Sequence, residues 1–591
     1  MTNIFVAVAW PYANADIHVG NLTGSYLPAD IFSRYHRLKG NQVLMVSGTD
    51  AHGTPATVRA DAEGVPTETV YLRYHKRFLN LFLAYGLTYD LFTSTHTENH
   101  FRVSQDLFLQ LRDNGYLYRD KQLIMYSEKE RRFLPDRYVE GECYLCHYPN
   151  ARGDQCDNCG NLLDATLLIN PRSRIDGSRP VPRQTEHYFL DLEKLSPAIS
   201  SYLSTEKDHW RPNVLKFARN MVAQGLHGRA ITRDLEWGIP VPEPGWKGKC
   251  LYVWFEAVIG YLSASIEWSS HAQDSEAWRA WWYDPGARSY YFIGKDNIPF
   301  HAVIWPAQLM GASKLYAGPT DGNLNLPFDV PANEFMNLEG KKISGSRNWA
   351  VWGQDVIERY GLDPVRYYLT VNMPESHDTD WSWADFLRRN NDELLATWGN
   401  LVNRVLTFAY RNWGGQVPDP GELQAQDQAL LAQMEEGFPR VGAHLEAVEL
   451  RAALLEAMGL ATEVNRYLDQ QSPWFQIKSD PKAAARTIFT ALRAIDSLKT
   501  LLAPFLPDSA ERVGRWLGNE GSCFGTQRLE ESNDRLGARP ILLYQAGQAT
   551  GAWRPGTLRP GQLLREPQPL YRKLPPELVD QERARLGQPS G

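Results

Sequence analysis

The sequence predicts an α/β fold. A parallel sheet is supplied in two halves, interrupted by a cysteine-bearing insertion and followed by an all-α bundle. Three observations carry this expectation. Apolar runs of strand length alternate with helical periodicity over residues 1–115 and again over 227–325, the βαβ grammar of a sheet covered on both faces. Between those stretches lie four of the chain's six cysteines. From about Trp383 onward, long amphipathic patterns replace the strands.

The first half opens on Ile4 to Trp10, seven consecutive apolar residues that stop at Pro11, as in a strand buried on both faces. Val19, Leu22, Tyr26, Leu27 and Ile31 then recur at helical spacing. His18 and Gly20 therefore sit on the turn that delivers the chain into a helix N-terminus, where unpaired N–H groups attract anions and a glycine admits a phosphate closely. Val43 to Val46 is a second strand, leading through Ser47 into Gly48-Thr49-Asp50-Ala51-His52-Gly53. A glycine-rich turn with a carboxylate at the C-terminal end of a strand is where open parallel sheets bind ligands. A helix over Thr67 to Tyr85, a strand over Leu91 to Thr95 and a helix over Asn99 to Asn114 complete this half.

Length and charge bound the rest. The chain has 591 residues and a net charge of −7, enough for several domains and without a global basic field. No basic segment precedes the first apolar run, and no apolar stretch approaches the ~18 residues that cross a bilayer. The expectation is a cytoplasmic protein that does not bind membranes. Six cysteines in so long a chain do not form a disulfide framework, so reduced thiols or a metal site are expected.

The insertion, residues 116–226, holds Cys143-Tyr-Leu-Cys146, nine further residues and then Cys156-Asp-Asn-Cys159. Two such knuckles suit one tetrahedral zinc, and a four-thiolate set is closed, so the metal is expected to be structural. The second half of the sheet repeats the strand, Gly, polar, helix order at Tyr290-Tyr-Phe-Ile-Gly294-Lys-Asp296-Asn297-Ile-Pro-Phe-His301. Residues 326–384 contain a basic, glycine-bearing loop, Gly340 to Arg347. Helices are expected over Asp385 to Asn412, Asp427 to Val441, Leu445 to Gln470 and Pro481 to Leu502, in a helical domain of residues 385–540. Residues 541–591 are rich in proline with a small excess of Lys and Arg and read as an extended tail with one short helix near Pro576 to Leu586.

Taken in order, these parts resemble a class I aminoacyl-tRNA synthetase, and more closely the methionyl-tRNA synthetases, over nearly the whole chain. His18-Val-Gly20-Asn21 looks like the HIGH motif and Lys342-Ile-Ser-Gly-Ser346 like the KMSKS loop. Pro11-Tyr-Ala-Asn14, Gly48-Thr-Asp50, the knuckles, Ile231-Thr-Arg233-Asp, Val253-Trp254, Phe292-Ile-Gly-Lys-Asp296 and Ser472-Pro-Trp474 complete the set. The leucyl, isoleucyl and valyl relatives share this grammar but carry a large editing domain, for which the insertion leaves no room.

The resemblance implies a split Rossmann-type parallel sheet, a one-zinc insertion and an all-α anticodon-binding bundle. It implies ATP, accompanied by Mg²⁺, L-methionine and tRNA(Met) as ligands. His18, Asn21, Lys341, Lys342 and Arg347 are the implied catalytic group, and Gly20, Gly294, Asp296, Lys342 and Ser344 the ATP site. The amino-acid slot is implied at Ala9, Trp10, Tyr12, Asp50, Trp254, Ala257, Val258, Tyr261, Asn297 and His301, with Asp50 on the ammonium. Trp474, Asn465 and Arg411 are implied at the anticodon, and Cys143, Cys146, Cys156 and Cys159 at the zinc. The sequence departs from the pattern at Asn21, where the family's second histidine stands, and at Ala51, where an acid is frequent. Gly345 replaces the second lysine of the loop, Val258 a proline, Asn297 an aliphatic and Thr407 a base-reading asparagine. Two other readings stay open at this stage: a ligase for another apolar amino acid and a catalytically impaired tRNA-binding paralogue. With about fifty residues after the bundle, no appended RNA-binding barrel is expected, and a monomer is favoured.

Overall fold

The computed structural model describes residues 1–588 apart from 136–137, 154–155, 157, 160–162, 273 and 548. Its centre is a seven-stranded sheet of β1 (Asn3–Val8), β2 (Gln42–Thr49), β3 (Leu91–Ser94), β4 (Arg288–Gly294), β5 (Ala332–Asn333), β6 (Thr526–Asp534) and β7 (Gly537–Gln545), in the spatial order β5-β4-β1-β2-β3-β7-β6. β1 is an interior strand. It pairs in parallel with β4 (Val6 opposite Tyr290) and with β2 (Val6 opposite Met45), which is why its residues are buried on both faces. The strand ends at Val8 rather than at Trp10. The last main-chain bond on this side runs from the Ala9 N–H to the Phe292 carbonyl, and Pro11 has no N–H with which to continue the ladder.

The sheet corrects two expectations about the end of the chain. Strand structure continues past Pro540 to Gln545, and the residues before it are not all helical. β6 and β7 form a hairpin that pairs antiparallel with β3, Leu542 facing Phe92. His75 anchors the hairpin between the Thr49 hydroxyl (2.7 Å) and the Pro540 carbonyl (2.6 Å). The following segment is likewise packed rather than free. Leu558, Leu564, Leu570, Leu574 and Leu578 are buried in the main core.

The helix after His18 begins as α-helix (Val19–Asn21), passes through a π turn (Leu22–Tyr26) and resumes as α-helix to Leu38. A second π turn, Phe300–Ile304, follows β4. Such turns re-aim side chains and cluster at functional sites, and both of these border the cavity described below.

The insertion is a long antiparallel arm, Leu117–Ser127 against Val181–Leu190, with the knuckle unit at its tip. That unit returns to the main body through the Tyr138 hydroxyl, which reaches Thr57 at 2.9 Å and Asp61 at 3.0 Å. The helical region is built on a run of Trp383–Arg388, a π stretch Arg389–Gly399 and Asn400–Asn412, then Ala425–Glu446, Leu450–Gln471 and Pro481–Leu502, close to the spans expected from periodicity. It is joined to the sheet by a buried ionic hub. Arg366 meets Asp30 at 2.8 Å, Asp30 also holds Arg34 at 2.8 Å, and the Arg366 guanidinium donates to the carbonyls of Tyr85, Pro504 and Phe505. A buried charge with its donors spent in this way fixes the orientation of the parts it bridges.

Candidate active site

The C-terminal ends of β1, β2 and β4 open onto a cavity of 1110 Å³. Parallel strands of an α/β sheet deliver their following turns to the same edge, so three separate turns converge there. Ala9, Trp10, Tyr12, His18, Gly20, Asn21, Asp50, Trp254, Ala257, Val258, Tyr261, Gly294, Asp296, Asn297, His301 and Lys342 all line it. A smaller cavity of 450 Å³ lies behind Tyr12 and Trp254, against the insertion arm, and contains neither His18, Gly20, Asp50, Gly294 nor Lys342.

On the side of the first turn, His18 and Asn21 cap their helix reciprocally. The His18 Nδ1 accepts the Asn21 N–H at 3.3 Å, and the Asn21 side-chain oxygen accepts the His18 N–H at 3.1 Å. Asparagine thus holds the turn where the family pattern has histidine. Burial lowers the His18 pKa to about 4, so the ring is neutral at pH 7. With Nδ1 accepting, Nε2 carries the proton, and His18 offers a hydrogen-bond donor rather than a cation. Burial raises the Asp296 carboxyl above its usual range, opposed by its own backbone N–H and by the nearby Lys342 and Lys295 charges.

The opposite wall is the Gly340–Arg347 loop. Lys341 and Lys342 are adjacent on the short strand that pairs with Met336–Leu338, and neighbouring strand residues face opposite ways. Lys342 accordingly lines the cavity, whereas Lys341 rests on the Trp349 ring at 4.7 Å. Neither Lys341, Ser344 nor Arg347 is part of the cavity wall. Gly345 is. A Cβ there would meet the Trp352 ring at 3.1 Å, so the absence of the family's second lysine accompanies a tryptophan that presses on this position and itself lines the cavity. The Trp352 and His18 rings lie 6.3 Å apart.

The apolar end is aromatic. Trp254 stacks on Phe300 at 4.2 Å and meets Tyr12 edge-on at 5.9 Å. The His301 Nδ1 donates to the Asn297 carbonyl at 3.0 Å, so its Nε2 accepts the Tyr261 hydroxyl at 2.7 Å. Burial brings the His301 pKa to about 4, which keeps this pair neutral. The Trp10 indole N–H is buried without a protein partner.

Beneath Asp50 lies a cluster that sequence reasoning missed. Glu256, fully buried, accepts from His52 Nδ1 at 2.8 Å and from His100 Nε2 at 2.6 Å. Burial by itself pushes the Glu256 carboxyl up, but the two imidazoles hold it below the usual range. Asp50 has no such partners. Burial and the Glu256 charge push it well above its ordinary value. The signal was present in the motifs themselves, since His52 follows Gly48-Thr49-Asp50 by two residues and Glu256 follows Val253-Trp254 by two. Phe300 and Trp352 were also missed.

Away from the cavity, the sulfurs of Cys143, Cys146, Cys156 and Cys159 lie within 4.8 Å of one another. The Leu145 N–H points at the Cys143 sulfur (3.4 Å) and the Asn158 amide at the Cys146 sulfur (3.6 Å), hydrogen bonds of the kind that orient thiolates around a metal ion. The set can hold a metal ion. On the helical region, Trp474 is half-buried, edge-on to Phe408 at 5.0 Å, with Arg404 over its ring at 4.8 Å. Arg411 is exposed, and both amide protons of Asn465 are engaged, with the carbonyls of Thr397 and Ala461. Phe475, 78 % exposed, was not expected.

A split parallel sheet with a capped helix N-terminus and a lysine loop on facing walls of one cleft, backed by a helical region, is the arrangement of a class I aminoacyl-tRNA synthetase. The description "tRNA synthetases class I (M)" matches residues 4–406, and "Anticodon binding domain of methionyl tRNA ligase" matches residues 417–535. The chain is 56 % identical to a methionine–tRNA ligase of Thermomicrobium roseum, covering 99 % of this chain and 98 % of the relative. It is 53 % identical to that of Roseiflexus sp. (strain RS-1), again over 99 % and 98 %. A structure of Mycobacterium tuberculosis methionyl-tRNA synthetase in complex with methionyl-adenylate is similar with a TM-score of 0.75 at 27 % identity, covering 97 % of this chain and 100 % of that one. The chain belongs to the methionyl-tRNA synthetase family.

Proposed function

We propose that the chain activates L-methionine with ATP and transfers it to tRNA(Met). In the first step a methionine carboxylate oxygen attacks the α-phosphorus of ATP, giving methionyl-adenylate and expelling pyrophosphate. In the second, a ribose hydroxyl of the tRNA 3′ end attacks the carbonyl carbon and AMP leaves. Neither step needs a covalent protein group, so positioning and charge stabilisation do the work. His18 Nε2–H and the main chain near Gly20 contact the phosphates, with Asn21 holding the turn. Gly294 and Asp296 flank the adenosine. Lys342 neutralises charge developing on the leaving pyrophosphate, while Lys341, Ser344 and Arg347 shape the loop that carries it. Mg²⁺ enters with the ATP phosphates.

Asp50 takes the ammonium, and the unbranched thioether runs between Ala9, Trp10, Tyr12, Trp254, Ala257, Val258, Tyr261, Asn297 and His301, where sulfur gains from aromatic contact. The four cysteines hold one structural zinc, for which their all-thiolate chemistry and mutual spacing fit. Trp474 offers a ring for an unstacked anticodon base, with Arg411 and Asn465 near the same surface of the helical region. Among the described residues no helix is long and apolar enough to cross a membrane.

The observation that carries this reading is the convergence, in one cavity, of the aromatic slot with Asp50 at one end and of His18 and Lys342 at the other. The test is ATP–pyrophosphate exchange with leucine, isoleucine, valine, cysteine and methionine in parallel. Methionine should dominate, and equal or greater exchange with another amino acid would overturn the assignment. In the same preparation Trp474→Ala should lower tRNA charging about tenfold and leave exchange intact.

A further inference from the structure

The loop that carries Lys342 is bounded by two residues that both adopt the left-handed region, Glu339 (φ 47°) and Asn348 (φ 48°). Neither is glycine. Such a conformation persists only where surrounding structure imposes it, and the C-terminal segment of the chain touches both residues. The Arg583 guanidinium, on the helix Leu578–Arg585, meets one Glu339 carboxylate oxygen through Nε (3.0 Å) and Nη2 (2.9 Å). The Gly587 N–H donates to the Asn348 carbonyl at 3.0 Å, and the Asn348 side-chain amide donates to the Gln588 carbonyl.

The segment making these contacts is itself fixed. Glu582 is 3 % exposed and accepts from the Tyr360 hydroxyl at 2.6 Å and from Arg359 at 3.2 Å, on the helix Gly353–Tyr360 that follows the loop. Just upstream, Asn391 bonds Leu574 in both directions. From Asn348 the connection continues into the site. Its side-chain oxygen accepts the Trp352 indole N–H at 3.0 Å. Trp352 bridges His18 across a short antiparallel contact, with the Val19 N–H on the Val351 carbonyl (3.0 Å) and the Gly353 N–H on the Ile17 carbonyl (2.9 Å).

We propose that residues 578–588 form a clasp that fixes both ends of the Glu339–Asn348 loop and so sets Lys342 and Trp352 against the His18 turn. Arg583 and Glu582 are positioning residues, acting on the reaction only through the loop. The proposal rests on the reading of that loop as the pyrophosphate-side wall.

The test uses the full chain with Glu582→Gln and Arg583→Ala combined. Two measurements are made: pyrophosphate exchange with separate KM values for ATP and methionine, and the rate at which trypsin cuts after Lys341, Lys342 and Arg347. The expected result is about a fivefold loss in kcat/KM for ATP, an unchanged KM for methionine, and several-fold faster cutting within the loop at an unchanged melting temperature. Arg583→Lys, which keeps the charge, should recover part of the loss. Unchanged cutting and unchanged ATP kinetics would overturn the clasp, as would equal losses toward ATP and methionine. Should the double variant unfold, Arg583→Ala alone decides, because it removes only a half-exposed ion pair. Absence of methionine-dependent exchange in the unaltered chain would overturn the functional reading instead, and the trypsin measurement stands apart from it.

Discussion

The two walls of the cavity are made in opposite ways. The wall of the first turn grows out of β1, paired on both edges, and is locked by the His18–Asn21 capping pair. Behind it Asp50 and Glu256 are buried, with Glu256 tied to two histidines. The facing wall is a hairpin with exposed lysines, held at its ends by hydrogen bonds and a surface ion pair. Regions with few buried apolar contacts open at low free energy. On the proposed reading, recognition falls to the rigid wall and charge neutralisation to the yielding one, which suits a step in which pyrophosphate must leave.

The largest expected effect breaks the rigid wall. Asp50→Ala removes the buried acid that we propose takes the substrate ammonium, a loss in the range of a truncated buried charge pair, ~3 kcal/mol. Methionine KM should rise roughly 100-fold while ATP KM changes far less. Comparable shifts in both would mean that Asp50 supports the whole cavity rather than the ammonium. On the other wall, Lys342→Ala should lower pyrophosphate exchange about tenfold, ~1.4 kcal/mol of transition-state stabilisation, with methionine KM unaltered. Lys341→Ala, whose ammonium sits on Trp349 outside the cavity, should stay within about fivefold because an exposed cation–π contact is worth only ~0.5–1 kcal/mol. A larger loss for Lys341 than for Lys342 would reverse the assignment of the two strand faces.

The same contrast governs what was legible in the sequence. β1 and the His18 turn could be read because a strand buried on both faces is a continuous apolar run, and the turn after it carries its own residue signature. The alternation of β1 with its helices similarly announced the parallel sheet. The β6–β7 hairpin could not be read in this way. Thr526–Asp534 is a polar edge strand, half of it exposed, and edge strands shed the apolar alternation that marks a strand. The tail misled through its prolines, which mark extended chain equally whether it is free or laid across a surface; its spaced leucines were the overlooked sign of burial. Glu256 was hidden because a buried carboxylate is recognised by its partners, and His52 and His100 come from distant parts of the sequence. Gly345 read as a missing cation, whereas its meaning lies in the Trp352 ring 3.1 Å from where a Cβ would stand.

A finer distinction between the walls follows from protonation. In the ligand-free site two carboxyls face one buried region, and two imidazole donors stabilise the charge on Glu256 alone. Asp50, desolvated and beside that charge, has its pKa raised, so it binds a proton over a pH range where an ordinary aspartate has lost it. A methionine ammonium docking there stabilises the ionised form and lowers that pKa again. Binding should therefore release a proton, and the affinity should climb as pH rises toward the ligand-free pKa and level off above it. Calorimetric titration of methionine at a series of pH values above the ordinary aspartate range, in two buffers of different ionisation enthalpy at each, measures the release directly. Asp50→Asn should abolish it, while Lys342→Ala, on the opposite wall, should leave it unchanged. A buffer-independent heat would mean that Asp50 is already ionised before the amino acid arrives, and that the rigid wall presents a fixed charge.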